Sequence, residues 1–161
     1  MNLQAESSPF RWKRILVPTD FSEPSTEAVN LAIYLAGKCG ATINLLNVIQ
    51  LPIPLPLEAG MAMDDLLNSS QGMLGRIPRG ASPALFRESL VRLATQGIVR
   101  EIVQTARELK ADLIVIATHG EGGLKHMLLG GTTEKVICHA PCPVLIVVPS
   151  CPGTNRRHTN N

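Results

Sequence analysis

The chain has 161 residues, 45% hydrophobic and 17% charged, which suits one globular domain. Fifteen basic against thirteen acidic side chains leave a net charge of +2, too mild for the electrostatic footprint of a nucleic-acid binder, so nucleic acid is set aside as a partner. Four cysteines, Cys39, Cys138, Cys142 and Cys151, are few for this length and are expected to stay thiols.

The first dozen residues are expected to form a disordered arm, 1–12, and the tail 150–161 a second, leaving one domain over 13–149. After its basic cluster the start carries only four consecutive apolar residues, against about 7–15 in a secretion signal. The longest later apolar run, Val144 to Val148, is bracketed by Pro143 and Pro149 and falls short of the roughly 20 residues that span a bilayer. No membrane partner is expected, and the predicted location is the cytoplasm.

Arg14 to Val17 is an aliphatic run stopped by Pro18, the pattern of a buried strand. Ser22 is predicted to cap a helix whose first turn holds Glu23 and Pro24. Ala28, Leu31, Ala32, Leu35, Ala36 and Cys39 then recur at helical spacing, and Gly40 supplies the stop. Ala41 to Ile49 reads as a second strand. Residues 50–88 are expected to be an irregular, proline-rich insert, because "LPIPLPLEAG" places proline at every second position and so bars a regular helix and a central strand. Within it "MDDLLNSSQGML" suggests a short helix, and Ser89 to Ala94 a middle strand. Val99, Ile102, Val103, Ala106 and Leu109 mark the next helix, followed by the strand "LIVIA", a glycine loop, a helix from about Thr132 to His139, and "PVLIVV". Strands that alternate with helices and read as continuous apolar runs predict an open, doubly wound α/β domain with a parallel, Rossmann-like sheet.

In such sheets ligands sit beyond the carboxyl ends of the strands, where strand order reverses. Three segments are predicted to converge there: Pro18-Thr19-Asp20, Asn47-Val48 and the loop after "LIVIA". That loop runs through "THGEGGLKHMLLGG" and carries five glycines up to Gly130-Gly131, just before a helix start. Unpaired amides and the positive end of the helix dipole make such a start an anion site, and Gly120, Gly130 and Gly131 would let backbone approach a phosphate. Glycines here also serve turns and caps alone. Asp20 could accept hydrogen bonds from a ribose hydroxyl, or help hold a metal that accompanies phosphates.

"RILVPTD", "LLNVI" and above all Ala111 to Val148 resemble the universal stress proteins, over roughly two thirds of the chain. The resemblance implies a five-stranded sheet of order 3-2-1-4-5, like that of the adenine nucleotide alpha hydrolases. It further implies ATP, with adenine near Val48, ribose near Asp20 and phosphates along the loop to Thr132 and Thr133, Mg2+ accompanying the nucleotide. It also implies a homodimer through the strand Val144–Val148. The family's pattern is glycine, two residues, glycine, nine residues, then glycine followed by serine or threonine. Here it falls on Ala117, Gly120 and Gly130, followed by Gly131, and so departs twice. Those departures favour the alternative, a dimeric interaction protein of this fold that binds no nucleotide.

There is no P-loop sequence, and a dinucleotide fingerprint would need a third glycine where Lys125 stands. The segment after the first strand lacks the glycine- and serine-rich loop of the ATP pyrophosphatases. His119 borders the loop mouth and could touch phosphate or simply be solvated, while His126 and Lys125 read as surface residues. Cys138, His139 and Cys142 lack the CxxC pair of structural zinc, and Cys138 and His139 point apart on a helix. No metal site is expected, and Asp112, at the other end of its strand, is expected to cap or pair locally. No paired acid and base, and no activated nucleophile, can be assembled, so at most slow ATP hydrolysis is expected.

Overall fold

The computed structural model describes residues 12–51, 59–76, 81–118 and 129–149. In chain order these form β1 (Arg14–Pro18), α1 (Glu23–Cys39), β2 (Thr42–Gln50), α2 (Ala59–Leu74), a 3-10 turn (Pro83–Leu85), β3 (Phe86–Ala94), α3 (Ile98–Glu108), β4 (Leu113–Ala117), α4 (Gly131–His139) and β5 (Val144–Val147). The strands are all parallel and ordered β3-β2-β1-β4-β5. Order reverses between β1 and β4, which places the switch point at the sheet centre.

The continuous apolar strands are continuous because successive side chains serve opposite layers. Ile15, Val17, Ile43, Leu45, Leu113 and Val115 pack with Ala28, Val29, Ala32 and Ala36 of α1. Leu16, Leu46, Ile114 and Ile116 pack instead with Ile102 and Ala106 of α3 and Val136 of α4. Each buried valine, leucine or isoleucine among them contributes about 1.5–3 kcal/mol. Alanines on the inner face of α1 let that helix lie close to the sheet.

Ser22 caps α1 as predicted, its hydroxyl accepting the Ser25 amide, and Gly40 ends the helix at φ 67°, a left-handed conformation that favours glycine. The 50–88 stretch is more regular than its prolines suggest. A 16-residue helix, α2, follows them, four residues longer toward the N-terminus than the apolar pattern beginning at Met63. β3 starts at Phe86 rather than Ser89, with Arg87, Glu88 and Arg92 along it. It is an edge strand paired only with β2, so polar residues are tolerated that would be excluded from the centre.

One core residue violates the polarity rule. Asn44 of β2 is 1% exposed, and neither its amide nitrogen nor its amide oxygen has a hydrogen-bond partner. An unsatisfied buried polar group costs about 1–3 kcal/mol. Asn44→Leu, which keeps the branching and heavy-atom count and faces the α3 layer, is expected to raise Tm by a few degrees, measured by thermal unfolding. An unchanged or lower Tm would show that the amide is compensated in solution.

Candidate functional site

The crevice beyond the carboxyl ends of β1 and β4 is built from two strand-to-helix connections. On the β1 side, the Thr19 amide donates to the Leu46 carbonyl (2.8 Å), extending the pairing with β2 past Pro18. The Asn47 side-chain amide donates to the Thr19 carbonyl (2.8 Å) from a buried position. Asn47 belongs to the Asn47-Val48 segment expected at the mouth, and the structure gives it the role of a brace. Its signal was a polar residue inside the apolar run "LLNVI".

The turn that follows is closed by short side chains. Oδ1 of the exposed Asp20 accepts from the Ser22 amide (3.2 Å) and the Ser22 hydroxyl (2.5 Å). Thr19 Oγ1 accepts from the Phe21 amide and lies 3.0 Å from Ser25 Oγ. These bonds hold Phe21 at φ 67°, a conformation that costs a bulky residue about 1–3 kcal/mol unless its surroundings over-determine it. The ring is part of that surrounding, packed against the α1 side of the core. The result is a rigid turn that carries a carboxylate at the mouth.

On the β4 side, the Thr118 amide donates to the Val147 carbonyl (3.0 Å) and the Gly130 amide to the Thr118 carbonyl (2.7 Å). The second bond pins the two ends of the glycine loop together. His119 and Gly120, with Lys125 and His126, lie outside the described residues.

Gly130 is the N-cap of α4, extended at φ −74°, and having no side chain it supplies no capping oxygen of its own. The first amides of α4, at Gly131, Thr132 and Thr133, have no partner within the helix, as at any helix start, and among the described residues no backbone carbonyl takes them. This corrects one expectation: the helix expected from about Thr132 starts at Gly131, so Gly131 is the first helical residue, not the cap. A second correction concerns the two threonines. Thr132 is exposed, whereas Thr133 is buried and donates its hydroxyl to the Ala117 carbonyl (2.8 Å), tying helix to strand. Ala117 is itself buried, its methyl in the core beneath α1. Its departure from glycine is accommodated there, away from the mouth.

Val48 stands half-buried at the end of β2 against the α3 and α4 layer. Pro18, Thr19, Asp20, Ala117, Gly130, Gly131, Thr132 and Thr133 all belong to the two connections that flank the switch point. Asp112 sits at the opposite end of the sheet and takes the backbone amides of Lys13 and Arg14. On α4, His139 and Cys138 are exposed, and His139 Nδ1 lies 2.8 Å from the Lys135 carbonyl. Among the described residues no three His, Cys, Asp or Glu side chains are placed to hold a metal ion. Nor is any helix among them long and apolar enough to cross a membrane. Chemically, the crevice combines helix-start donors for an anion on one wall with a carboxylate acceptor on the other.

Comparison with known proteins gives a consistent result. The model of the universal stress protein family matches residues 11–148. Universal stress protein MJ0531 of Methanocaldococcus jannaschii is 35% identical over 144 residues, covering 84% of this chain and 82% of its own. Among solved structures, hypothetical protein MJ0577 superposes with a TM-score of 0.73 at 26% identity, over 88% of this chain and 99% of that one. The universal stress protein from Archaeoglobus fulgidus in complex with dAMP shares the fold at a TM-score of 0.58 and 19% identity, over 86% and 99% of the two chains.

Proposed function

We infer the function from one premise: the chain belongs to the universal stress protein family. On that premise we propose a small regulatory or stress-response module that binds ATP in the crevice at the switch point. The carrying observation is the glycine-capped start of α4, its entry loop pinned by the Gly130–Thr118 bond, after the strand next to the one that leads into Asp20. Phosphates would take the amides from Gly131 onward and the Thr132 hydroxyl. The ribose would donate to Asp20, and adenine would lie along Val48. Glycine at 130 and 131 supports this reading because no Cβ stands between backbone and ligand. Oxygen donors suit Mg2+ arriving with the nucleotide, and Asp20 is the carboxylate that would face it. The dAMP complex of the Archaeoglobus fulgidus neighbour is in keeping with an adenylate ligand.

Titration calorimetry with Mg-ATP, together with analysis of small molecules released on denaturation, tests the proposal. Gly131→Ser is a sharper probe. A Cβ built at Gly131 meets nothing within 4 Å, so a hydroxyl can be added without displacing a neighbour. One hydrogen bond to a charged phosphate is expected to tighten ATP binding by up to about tenfold. Unchanged or weaker binding would show that this hydroxyl is not what the loop lacks.

A second reading, a dimeric interaction protein without nucleotide, draws on Gly131 and on the inward Thr133 hydroxyl, which together leave Thr132 as the one hydroxyl facing out in this turn. In either reading we place the dimer contact at β5. It is an edge strand, Leu145 and Ile146 are half-buried, and Val148 just beyond it is 72% exposed. An apolar edge of this kind is an aggregation liability unless paired. The protein is assigned to the cytoplasm, with ATP turnover absent or slow.

A further inference from the structure

On the sheet face that carries α1 and α2, behind the turn after β1, packing leaves a cleft of about 210 Å3. Its walls are apolar: Val29 of α1, Leu45 of β2, and Met73 and Leu74 at the end of α2. Phe21 also lines it, and the exposed Arg76 stands at its lip. Val48 packs in the opposite layer, so the cleft is separate from the proposed adenine position.

Size and polarity together define an occupant. An apolar cavity of about 150 Å3 holds a benzene ring, so this one suits a single ring or a chain of about six carbons. The hydroxyls at its margin are already engaged, Thr19 Oγ1 with the Phe21 amide and Thr26 Oγ1 with the Ser22 carbonyl (3.0 Å). Arg76 differs. Its backbone is held by a bond from its amide to the Met73 carbonyl (3.1 Å), and among the described residues no carboxylate lies within ion-pair range of its guanidinium. An apolar slot with an unpaired guanidinium at its lip complements an amphipathic monoanion, because a planar carboxylate matches the guanidinium fork. We propose that this cleft binds a small amphipathic carboxylate, the tail between Val29, Leu45 and Leu74 and the head group on Arg76.

The test uses the full chain without nucleotide, so its outcome is independent of ATP binding. Hexanoate, hexanol and hexylamine are titrated while the methyl NMR signals of Val29, Leu45 and Leu74 are followed. Hexanoate is expected to shift these signals saturably and to bind about tenfold tighter than hexanol. Arg76→Gln, an exposed change that leaves the core intact, is expected to reduce hexanoate to the level of hexanol. Three results would each overturn the proposal: unmoved methyl signals at large molar excess, equal affinity for hexanoate and hexanol, or an Arg76→Gln protein that binds hexanoate like the parent.

Discussion

Asp20→Asn is expected to weaken ATP binding by roughly ten- to a hundredfold while leaving thermal stability near that of the parent. The asparagine keeps Oδ1, which accepts the Ser22 amide and hydroxyl, so the turn into α1 survives. What is lost is the negative charge, and a hydrogen bond to a charged acceptor is worth about 1.5–3 kcal/mol. Asp20→Ala removes both roles and should cost affinity and stability together. Calorimetric titration of the two variants, alongside thermal unfolding, separates the contributions. An Asp20→Asn protein with unaltered ATP affinity would remove the carboxylate from the proposed site.

Asp112→Ala is expected to be the most destabilising of the substitutions considered, by about 2–3 kcal/mol, or roughly 5–10 °C in Tm for a chain of this size. Both carboxylate oxygens accept from the amides of Lys13 (3.1 and 3.0 Å) and Arg14 (3.1 and 3.2 Å). The Arg14 guanidinium donates to the Lys110 carbonyl (2.7 Å), and the Asp112 amide returns a bond to the Arg14 carbonyl (3.0 Å). This clasp joins the entrances of β1 and β4, two strands with only a short stretch of register between them. Asp112→Asn keeps one acceptor and should lose about half as much. The variant also carries a local readout. Burial first, and then the charge of Asp112, raise the Cys142 thiol pKa. Removing the carboxylate removes the second cause, so the Cys142 pKa should fall and its alkylation at mildly alkaline pH should quicken. A Tm within a degree of the parent, with unchanged Cys142 reactivity, would show the clasp to be without consequence.

The expectations that held have a common origin. β1, β4 and β5 are nearly uninterrupted aliphatic stretches, and a strand buried on both faces needs nothing else. α1 was legible at both ends because its stop signals are local: Ser22 at the start, Gly40 at the close. α2 and the first residues of β3 were not. The alternating prolines end before α2 begins, and β3, at the sheet edge, mixes charged with apolar residues. Neither stretch has a period strong enough to reveal what its neighbours stabilise.

At the crevice, residue types marked Asp20 and the glycines as chemistry-bearing, because such groups are out of place inside an apolar α/β core, while the threonines entered through the family resemblance. Local pattern likewise determined the layer class, both caps of α1 and the family to which the chain belongs. Three matters were decided by tertiary structure: that Gly130 rather than Gly131 caps α4, that Thr133 turns its hydroxyl to the Ala117 carbonyl while Thr132 stays at the surface, and that Asn47 rather than a more reactive residue braces the mouth. The physical reason is shared. A propensity belongs to one residue and its neighbours along the chain, whereas a hydrogen bond between Asn47 and Thr19, 28 positions apart, exists only after the sheet has brought β1 and β2 together.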